Sequence, residues 1–549
     1  MKNFIIFLFV LIPFLIQAQK SYKVIYHRIE KGKIDSSSSV SIIYFDNGIT
    51  SILSSNSKAK EFIDYNRNLT VNIIEFDKHK FKTIQSIDSL YKPVFNDETE
   101  NILGFKCKKA TFKAFSNTIE VWYTNKAKAK GSPYKSYLPK DALVLKIMIN
   151  GGTILIATEI QKTSNIISLD YQFEQAKTIG NAEYREKIIK ARYSIIPVFN
   201  KEQINFESDI KNPKPNQLDS IYRFERGNII LKKIKLTKEI KNGAYIFATV
   251  SEWSNGDAYD RLGSIFIVKE SNKGSIIDAL FNSEDLSKII ADSIEKYFGL
   301  ASSNNYTVPT ELIRFITPFG VSNFNNTRPI NNYHWADSVV YKADVTSLIP
   351  DNKDEIWIGA FIGNYDKGGH NLSLQLDVYP AWEDDKPKKK FTYPLFNSIN
   401  SNIVSNKHYN RLFADDTLIT EFEIPDSIEK LQLVFTTTGH GGWGGGDEFN
   451  PKLNQVFVDG KLVLSHIPWR NDCATYRLSN PASGNFENGL SSSDINRSNW
   501  CPGTMTVPYY IPLNNLKAGK HKIEVIIDQG KEDGNSWSVS GCIIGNYKE

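Results

Sequence analysis

Cysteine is scarce in this chain, with four in 549 residues. None shows a C-x2-C or similar metal-ligand spacing, and no His/Cys cluster offers a metal site. Neither sign of charge prevails, since 66 Lys and Arg oppose 61 Asp and Glu. No face dominated by one sign is therefore indicated, which argues against a nucleic-acid partner. Beyond the N-terminal segment, no apolar run approaches the ~20 residues needed to span a bilayer as a helix. Helical periodicity is rare, and neither an internal repeat nor a low-complexity tract is present.

What is present is enough to build cores. The chain is 41% hydrophobic and 12% aromatic, and at ~150 residues per domain its length suggests three or four units. It opens "MKNFIIFLFVLIPFLIQAQK". Lys2 supplies a positive start, Phe4 to Ile16 is continuously apolar, and Gln17-Ala18 offers a cleavage site before Gln19. Residues 1–18 read as a secretory signal peptide, because the apolar run is too short for a membrane anchor. No cysteine follows the cleavage site, so a lipoprotein is not expected. The mature chain is expected in the periplasm or outside the cell.

There, disulfides are permitted. Cys473 in "RNDCATY" and Cys501 in "NWCPG" lie in polar, loop-like sequence and form the best pair. Cys107 and Cys542 sit in strand patterns and read as buried thiols.

Short alternating or β-branched runs fill the chain, with turn signals about every ten residues, as in sandwiches or barrels of antiparallel strands. Residues 19–195 read as a β-rich N-terminal domain and 196–220, polar and proline-bearing, as a linker. A second block covers 221–400 and a third 401–549. Two helices are expected, in "KTIGNAEYREKIIKARY" and "SEDLSKIIADSIEKYFGL".

Three stretches can carry chemistry. "TTTGHGGWGGGDEFNPK" places six glycines within Gly439–Gly446, around His440, and ends on Asp447 and Glu448. A loop with so few side chains lets a large ligand approach the backbone; a solvated acidic pair is the plainer alternative. In "SEWSNGDAYDRLGSIFIV", Asp260 and Arg261 directly precede a strongly apolar strand, as a held carboxylate or as a surface ion pair or Asx turn. In "DINRSNWCPG", Arg497 and Trp500 flank Cys501. A guanidinium fork and an aromatic face suit carbohydrate, and a purely structural loop is the rival reading.

Taken together, "AYDRLGSIFIV", "RFITPFG", "DVTSLIP", "TTTGHGGWGGGDEFNPKLNQVFVDG" and "RSNWCPG" resemble segments of the peptide-N-glycosidase F family of secreted bacterial amidases. The resemblance spans about Ile221 to Tyr547. It implies an all-β fold: two antiparallel, eight-stranded, jelly-roll-like sandwiches side by side, with the site in the cleft between them. The β-rich N-terminal domain more weakly resembles the GLPGLI family of secreted Bacteroidetes proteins, through "ETENILGFKCKKATFKAF" and "EVWYTNK".

The resemblance also implies roles. Asp260 takes the place of the family's essential aspartate, and Glu448 that of the glutamate that positions substrate and water. Arg261, Arg497 and Trp500 match residues lining the cleft, and His440 stands where the family carries a tryptophan. Asp447 and His370 are added as substrate-binding candidates. Arg261 is expected to keep Asp260 ionised, and Glu448 to sit on the rigid strand after the glycine loop. The chain departs from the family near Gly359 or Ala360, where a second glutamate is missing. Asp366 or His370 in "NYDKGGHNLSL" could substitute from the adjacent loop.

The implied reaction hydrolyses the amide between asparagine and the innermost N-acetylglucosamine of N-glycosylated proteins or glycopeptides. It calls for no cofactor and no metal, and a monomer is expected. Two rival readings are a non-catalytic glycan-binding or surface-assembly protein on the same fold, and a metal-dependent hydrolase using His370, His440 and Asp447.

Overall fold

The structure, a computed structural model, describes residues 21–548 except 31, 55–58, 164–174, 208, 270–271, 283–295, 321–323, 328, 330, 382–388, 443–445 and 482–490. The expected signal peptide, most of the second expected helix and part of the glycine loop lie outside the described residues. No helix among the described residues is long and apolar enough to cross a membrane.

The chain divides into two compact units, Met1–Arg192 and Tyr193–Glu549. The first holds one twelve-stranded sheet. Its pairs are antiparallel except for Lys177–Thr178, which runs parallel to His79–Ser86. Val24, Tyr26, Ile42, Leu143 and Leu145 form part of its core. The first expected helix is present at Asn181–Ala191 and buries only Tyr184.

The second unit is built from two sandwiches. In the first, a four-stranded sheet runs in the order Ser194–Ile204, His370–Tyr379, Tyr245–Ser254 and Val339–Asp344. It faces a six-stranded sheet in the order Ile221–Phe224, Ile229–Lys235, Glu355–Ile362, Leu262–Val268, Thr310–Ile316 and Thr504–Thr506. The burial patterns explain the layers. Tyr245–Ser254 buries every second residue, so one face meets the core. Leu262–Val268 and Glu355–Ile362 are buried almost throughout. They are covered on both faces, because Phe266 and Trp357 point into a second cluster with Tyr222, Leu231 and Ile276.

In the second sandwich, Lys390–Asn397, Ser536–Tyr547, Ile428–His440 and Tyr509–Pro512 form one sheet. Leu418–Ile424, Gly519–Ile527, Asn454–Val458 and Lys461–His466 form the other. Leu418–Ile424 alternates buried and exposed residues without a break. The sandwiches share apolar contacts, since Val434, Cys542 and Ile544 belong to the core of the first.

The stretch expected as a linker is in part a strand. Ser194–Ile204 pairs with His370–Tyr379, with register shifts at Pro197/Phe199 and Phe199/Glu202. It lies at the edge of its sheet, where a residue without an N–H and interruptions of the ladder are tolerated. A short helix not expected from sequence, Ile276–Phe281, is started by Ser275 and Asp278 in a reciprocal capping box. Cys473 and Cys501 form a disulfide, with an S–S distance of 2.00 Å, and Cys107 and Cys542 are buried free thiols.

Candidate active site

Strand pairing brings the three chemical stretches to one end of the second unit. Leu262 pairs with Ile316, and Ile316 with Thr504. Asp260 lies just before the first of these strands and Arg497–Trp500 just before the last. Thr317 closes the corner: its Oγ1 accepts from Arg261 N at 2.8 Å, and its own N–H donates to Arg261 O at 2.9 Å.

The Arg497 segment is tied equally to the second sandwich. Gly439 N donates to Ser498 O (3.2 Å), and Ser498 N to Glu448 O (3.0 Å). Trp500 Nε1 donates to Gly439 O (2.7 Å). The disulfide fixes the far side of this segment.

Arg497 links the two principal candidates. Its Nε donates to Glu448 Oε1 at 2.9 Å, and its side chain is 1% exposed against 15% for Glu448. The guanidinium lies over the Trp500 and Phe449 rings, at 4.8 and 5.0 Å from their centroids. Burial pushes the Asp260 carboxyl up to about 6, against the charges of Arg497 and Arg261. Burial lifts Glu448 to about 7, aided by the charge of Asp260 and opposed by that of Arg497. Two carboxyls that sense one arginine, both held near neutrality, are suited to exchanging protons at physiological pH.

The remaining candidates differ from expectation. Arg261 does not hold Asp260: it grips Asp257, Nε to Oδ2 at 2.7 Å and Nη2 to Oδ1 at 3.2 Å. Burial outweighs the charge of Arg261, so the Asp260 carboxyl moves up, not down. Trp500 is 3% exposed, with its ring between Arg497 and the stacked ring of His440 (5.5 Å). It braces the site and offers no free face to a sugar. His440 shares a bond with Thr438 Oγ1 (2.9 Å), and burial, with the Arg314 charge, lowers it to about 3. It is a neutral ring at working pH.

Asp447 is fully buried and anchors its turn: Gly530 N donates to its carboxylate at 3.0 Å, and its own N–H donates to Asn535 Oδ1 at 2.7 Å. It is not available to substrate. His370 is fully buried as well, with Nδ1 2.8 Å from Glu252 Oε1. Asp366 caps a turn through Gly368 N and Gly369 N (2.7 and 2.8 Å), so neither residue replaces the missing glutamate. A glutamate would not fit at Gly359, where a Cβ would meet the Phe266 ring at 2.5 Å and Leu231 at 2.6 Å. The three residues of the metal reading thus have separate partners.

Glu448 lies in a turn, not on the strand, which begins at Asn454. It is held there by its own bonds, from Ser498 N to its carbonyl and from Arg497 to its carboxylate. The strand before the glycine loop runs on to His440, and close packing accounts for several of the glycines. A Cβ at Gly439 would meet the Trp537 ring at 2.5 Å, and one at Gly441 (φ +118°) would meet Gly534 O at 2.4 Å. Gly442 faces open space.

Sequence reasoning missed Asp257, Glu252 and Tyr365. Tyr259 and Tyr365 are 64% and 79% exposed and flank Arg261, whose guanidinium lies 5.2 and 6.0 Å from their rings. Only Asp257 left a sequence signal, an acid four residues before an arginine.

Residues 195–378 match the family model Peptide-N-glycosidase F, N terminal, and residues 408–544 match Peptide-N-glycosidase F, C terminal. The chain belongs to the peptide-N-glycosidase F family. It is a hydrolase of a glycoamidase family. Residues 24–186 match N-glycanase peptide, N-terminal domain, which stands in place of the GLPGLI resemblance. Among solved structures, PNGF-II in a P21 crystal is 39% identical, with 96% of this chain and 100% of that chain covered and a TM-score of 0.76. PNGF-II in a C2 crystal is 38% identical, with 96% and 99% covered and a TM-score of 0.74. PNGase F of Flavobacterium meningosepticum, a glycosylasparaginase, is 15% identical, with 65% and 96% covered and a TM-score of 0.44. No curated protein matches.

Proposed function

We propose that this member of the peptide-N-glycosidase F family is a secreted or periplasmic, monomeric peptide-N4-(N-acetyl-β-glucosaminyl)asparagine amidase acting on N-glycosylated proteins or glycopeptides. The observation that carries this reading is the Arg497–Glu448 ion pair, whose charge also acts on Asp260, with both carboxyls lifted toward neutrality.

Asp260, ionised above about pH 6, takes a proton from water as the water oxygen attacks the asparagine side-chain carbonyl carbon. Glu448, half protonated near pH 7, orients the sugar or water and holds a proton for the departing nitrogen. The C–N bond breaks, leaving aspartate on the peptide and a glycosylamine that loses ammonia in water. Arg497 offsets charge on the oxygen that becomes anionic, a role worth about 3 kcal/mol per donor. Holding water and amide in place supplies ~7–11 kcal/mol when the geometry is right.

The test is to incubate the purified chain with a denatured N-glycoprotein and follow conversion of asparagine to aspartate at glycosylated sites by mass spectrometry. Conversion by the wild type and its loss in Asp260→Asn are expected. Glycan binding without conversion would favour the non-catalytic reading, and equal turnover by Asp260→Asn would refute the assigned roles.

A further inference from the structure

Beneath the turn that carries Asp260 lies a row of buried polar and charged groups that reaches the surface only at Arg261. His370 is 0% exposed, and Glu252 is equally buried. His370 Nδ1 is 2.8 Å from Glu252 Oε1, and its Nε2 is 3.6 Å from Asp257 Oδ2. Asp257 takes both arms of Arg261 and accepts from Tyr259 N at 3.0 Å. At the other end, Tyr341 Oη lies 3.4 Å from Glu252 Oε2 and donates to Ile316 O at 3.1 Å.

The row therefore runs Tyr341, Glu252, His370, Asp257, Arg261, and it joins strands from both sheets of the first sandwich to the turn. Ser254 and His370 face each other in the ladder, so the turn leaves the sheet directly opposite the histidine.

Two buried carboxylates need a cation between them, because stripping one of its partner is costly in a low-dielectric interior. Burial opposes charge on His370, but Asp257 and Glu252 outweigh it and lift the ring to about 9. Asp257 would be raised by burial, yet His370 and Arg261 hold it well below the usual carboxylate range. Its negative charge in turn adds to the rise at Asp260.

We propose that His370 is a positioning residue for the amidase reaction: a buried cation between Glu252 and Asp257 that fixes the Ser254–Arg261 turn and tempers the negative charge felt by Asp260. The inference rests on the amidase reading and adds to it a role for a residue that no substrate reaches. The charged and titratable groups around His370 are Glu252 on the adjacent strand, Tyr341 behind it, and Asp257 and Arg261 on the turn. They predict shifts of opposite sign. Removing the cation exposes Asp260 to more negative charge, and removing the Asp257 carboxylate exposes it to less.

The experiment measures kcat and KM against pH on a defined N-glycopeptide, using the full chain as wild type, His370→Gln and Asp257→Asn. His370→Gln should lower kcat about tenfold to a hundredfold with KM within about twofold, the pattern of a displaced catalytic group. It should also raise the acid limb of kcat/KM by about half a pH unit, while Asp257→Asn lowers that limb. A purely structural role would move neither limb. Limbs unmoved in both variants, or a loss confined to KM, overturn the proposal. Should His370→Gln fail to fold, the Glu252→Gln/His370→Gln pair removes a carboxylate with the cation. Its limb is still expected above that of the wild type, because Asp257 has lost the ring beside it, and a limb unmoved or lowered would overturn the proposal. A wild type without turnover defeats the amidase reading and this one together; a working wild type with unmoved limbs defeats only this one.

Discussion

At Asp260, burial and nearby charge act in opposite directions, and burial prevails. The carboxyl rises from 3.8 in the unfolded chain to about 6. A raised folded value stabilises the protein below the unfolded pKa, and that contribution is lost as pH climbs through the folded one. Ionised Asp260 therefore costs stability above about pH 6, and an isosteric amide would not. Asp260→Asn is expected to be inactive yet more stable than the wild type at pH 8, by at most about 3 kcal/mol from a shift of ~2 units. The difference should vanish at pH 3.5. Melting curves of both proteins at the two pH values check this, and a mutant no more stable at pH 8 would remove the argument from burial. The identity of Asp260 was legible in its motif, but the direction of its shift was not. On an extended segment successive side chains point to opposite sides. Arg261 thus turns away from its neighbour and toward Asp257, and the cation that governs Asp260 and Glu448 comes from position 497.

At the scale of elements, the glycine loop shows how a sequence signal can be sound and its cause different. The glycines were expected to leave room for a bulky substrate. Yet Gly439 and Gly441 are needed where the Ile428–His440 strand ends against Trp537 and the Gly534 backbone. A side chain at Gly441 meets a carbonyl oxygen, which cannot swing aside, and its φ of +118° disfavours any Cβ. Gly441→Ala is expected to destabilise the chain by more than about 2 kcal/mol and to lower activity through the displaced Glu448 turn. Gly442→Ala, with nothing within 4 Å of its Cβ, should stay within about 0.5 kcal/mol of wild type. Thermal melts of the two variants side by side decide the matter; equal effects would mean that the glycines serve openness rather than packing. Strands were readable because alternation survives in segments such as Leu418–Ile424. The edge strand Ser194–Ile204 was hidden because its pairing is interrupted twice, so alternation never accumulates. Asp447 and Trp500 looked functional by type, but what buries them arrives from Gly530, Gly439 and Arg497, and such contacts leave no trace in local sequence.

At the scale of the molecule, the site exists only if the two sandwiches hold one arrangement. Thr504–Thr506, late in the chain, adds a strand to the sheet of the first sandwich beside Thr310–Ile316. Behind it lies an ion pair at 0% and 3% exposure, Arg314 Nη2 to Glu311 Oε2 at 2.9 Å. Arg314 Nη1 reaches across to Thr438 Oγ1 (3.1 Å) and Ser538 O (2.8 Å), and Ser540 Oγ donates to Glu311 at 2.5 Å. The seam between the sandwiches is thus polar at its centre and apolar around Val434 and Cys542. A buried pair is weak evidence for stability, because its desolvation offsets its attraction, but breaking one strands the other charge. Arg314→Met is expected to cost about 3–5 kcal/mol through the orphaned Glu311, and the Glu311→Gln/Arg314→Met double variant to recover much of that loss. Urea unfolding gives both values, and glycopeptide turnover shows whether the site is still assembled. If Arg314 holds the two halves in register as well as balancing a charge, the double variant will regain stability but not full kcat, since Asp260 and Glu448 come from opposite sides of the seam. Full recovery of both would reduce the pair to charge balance and leave the register to the Thr504–Thr506 strand alone.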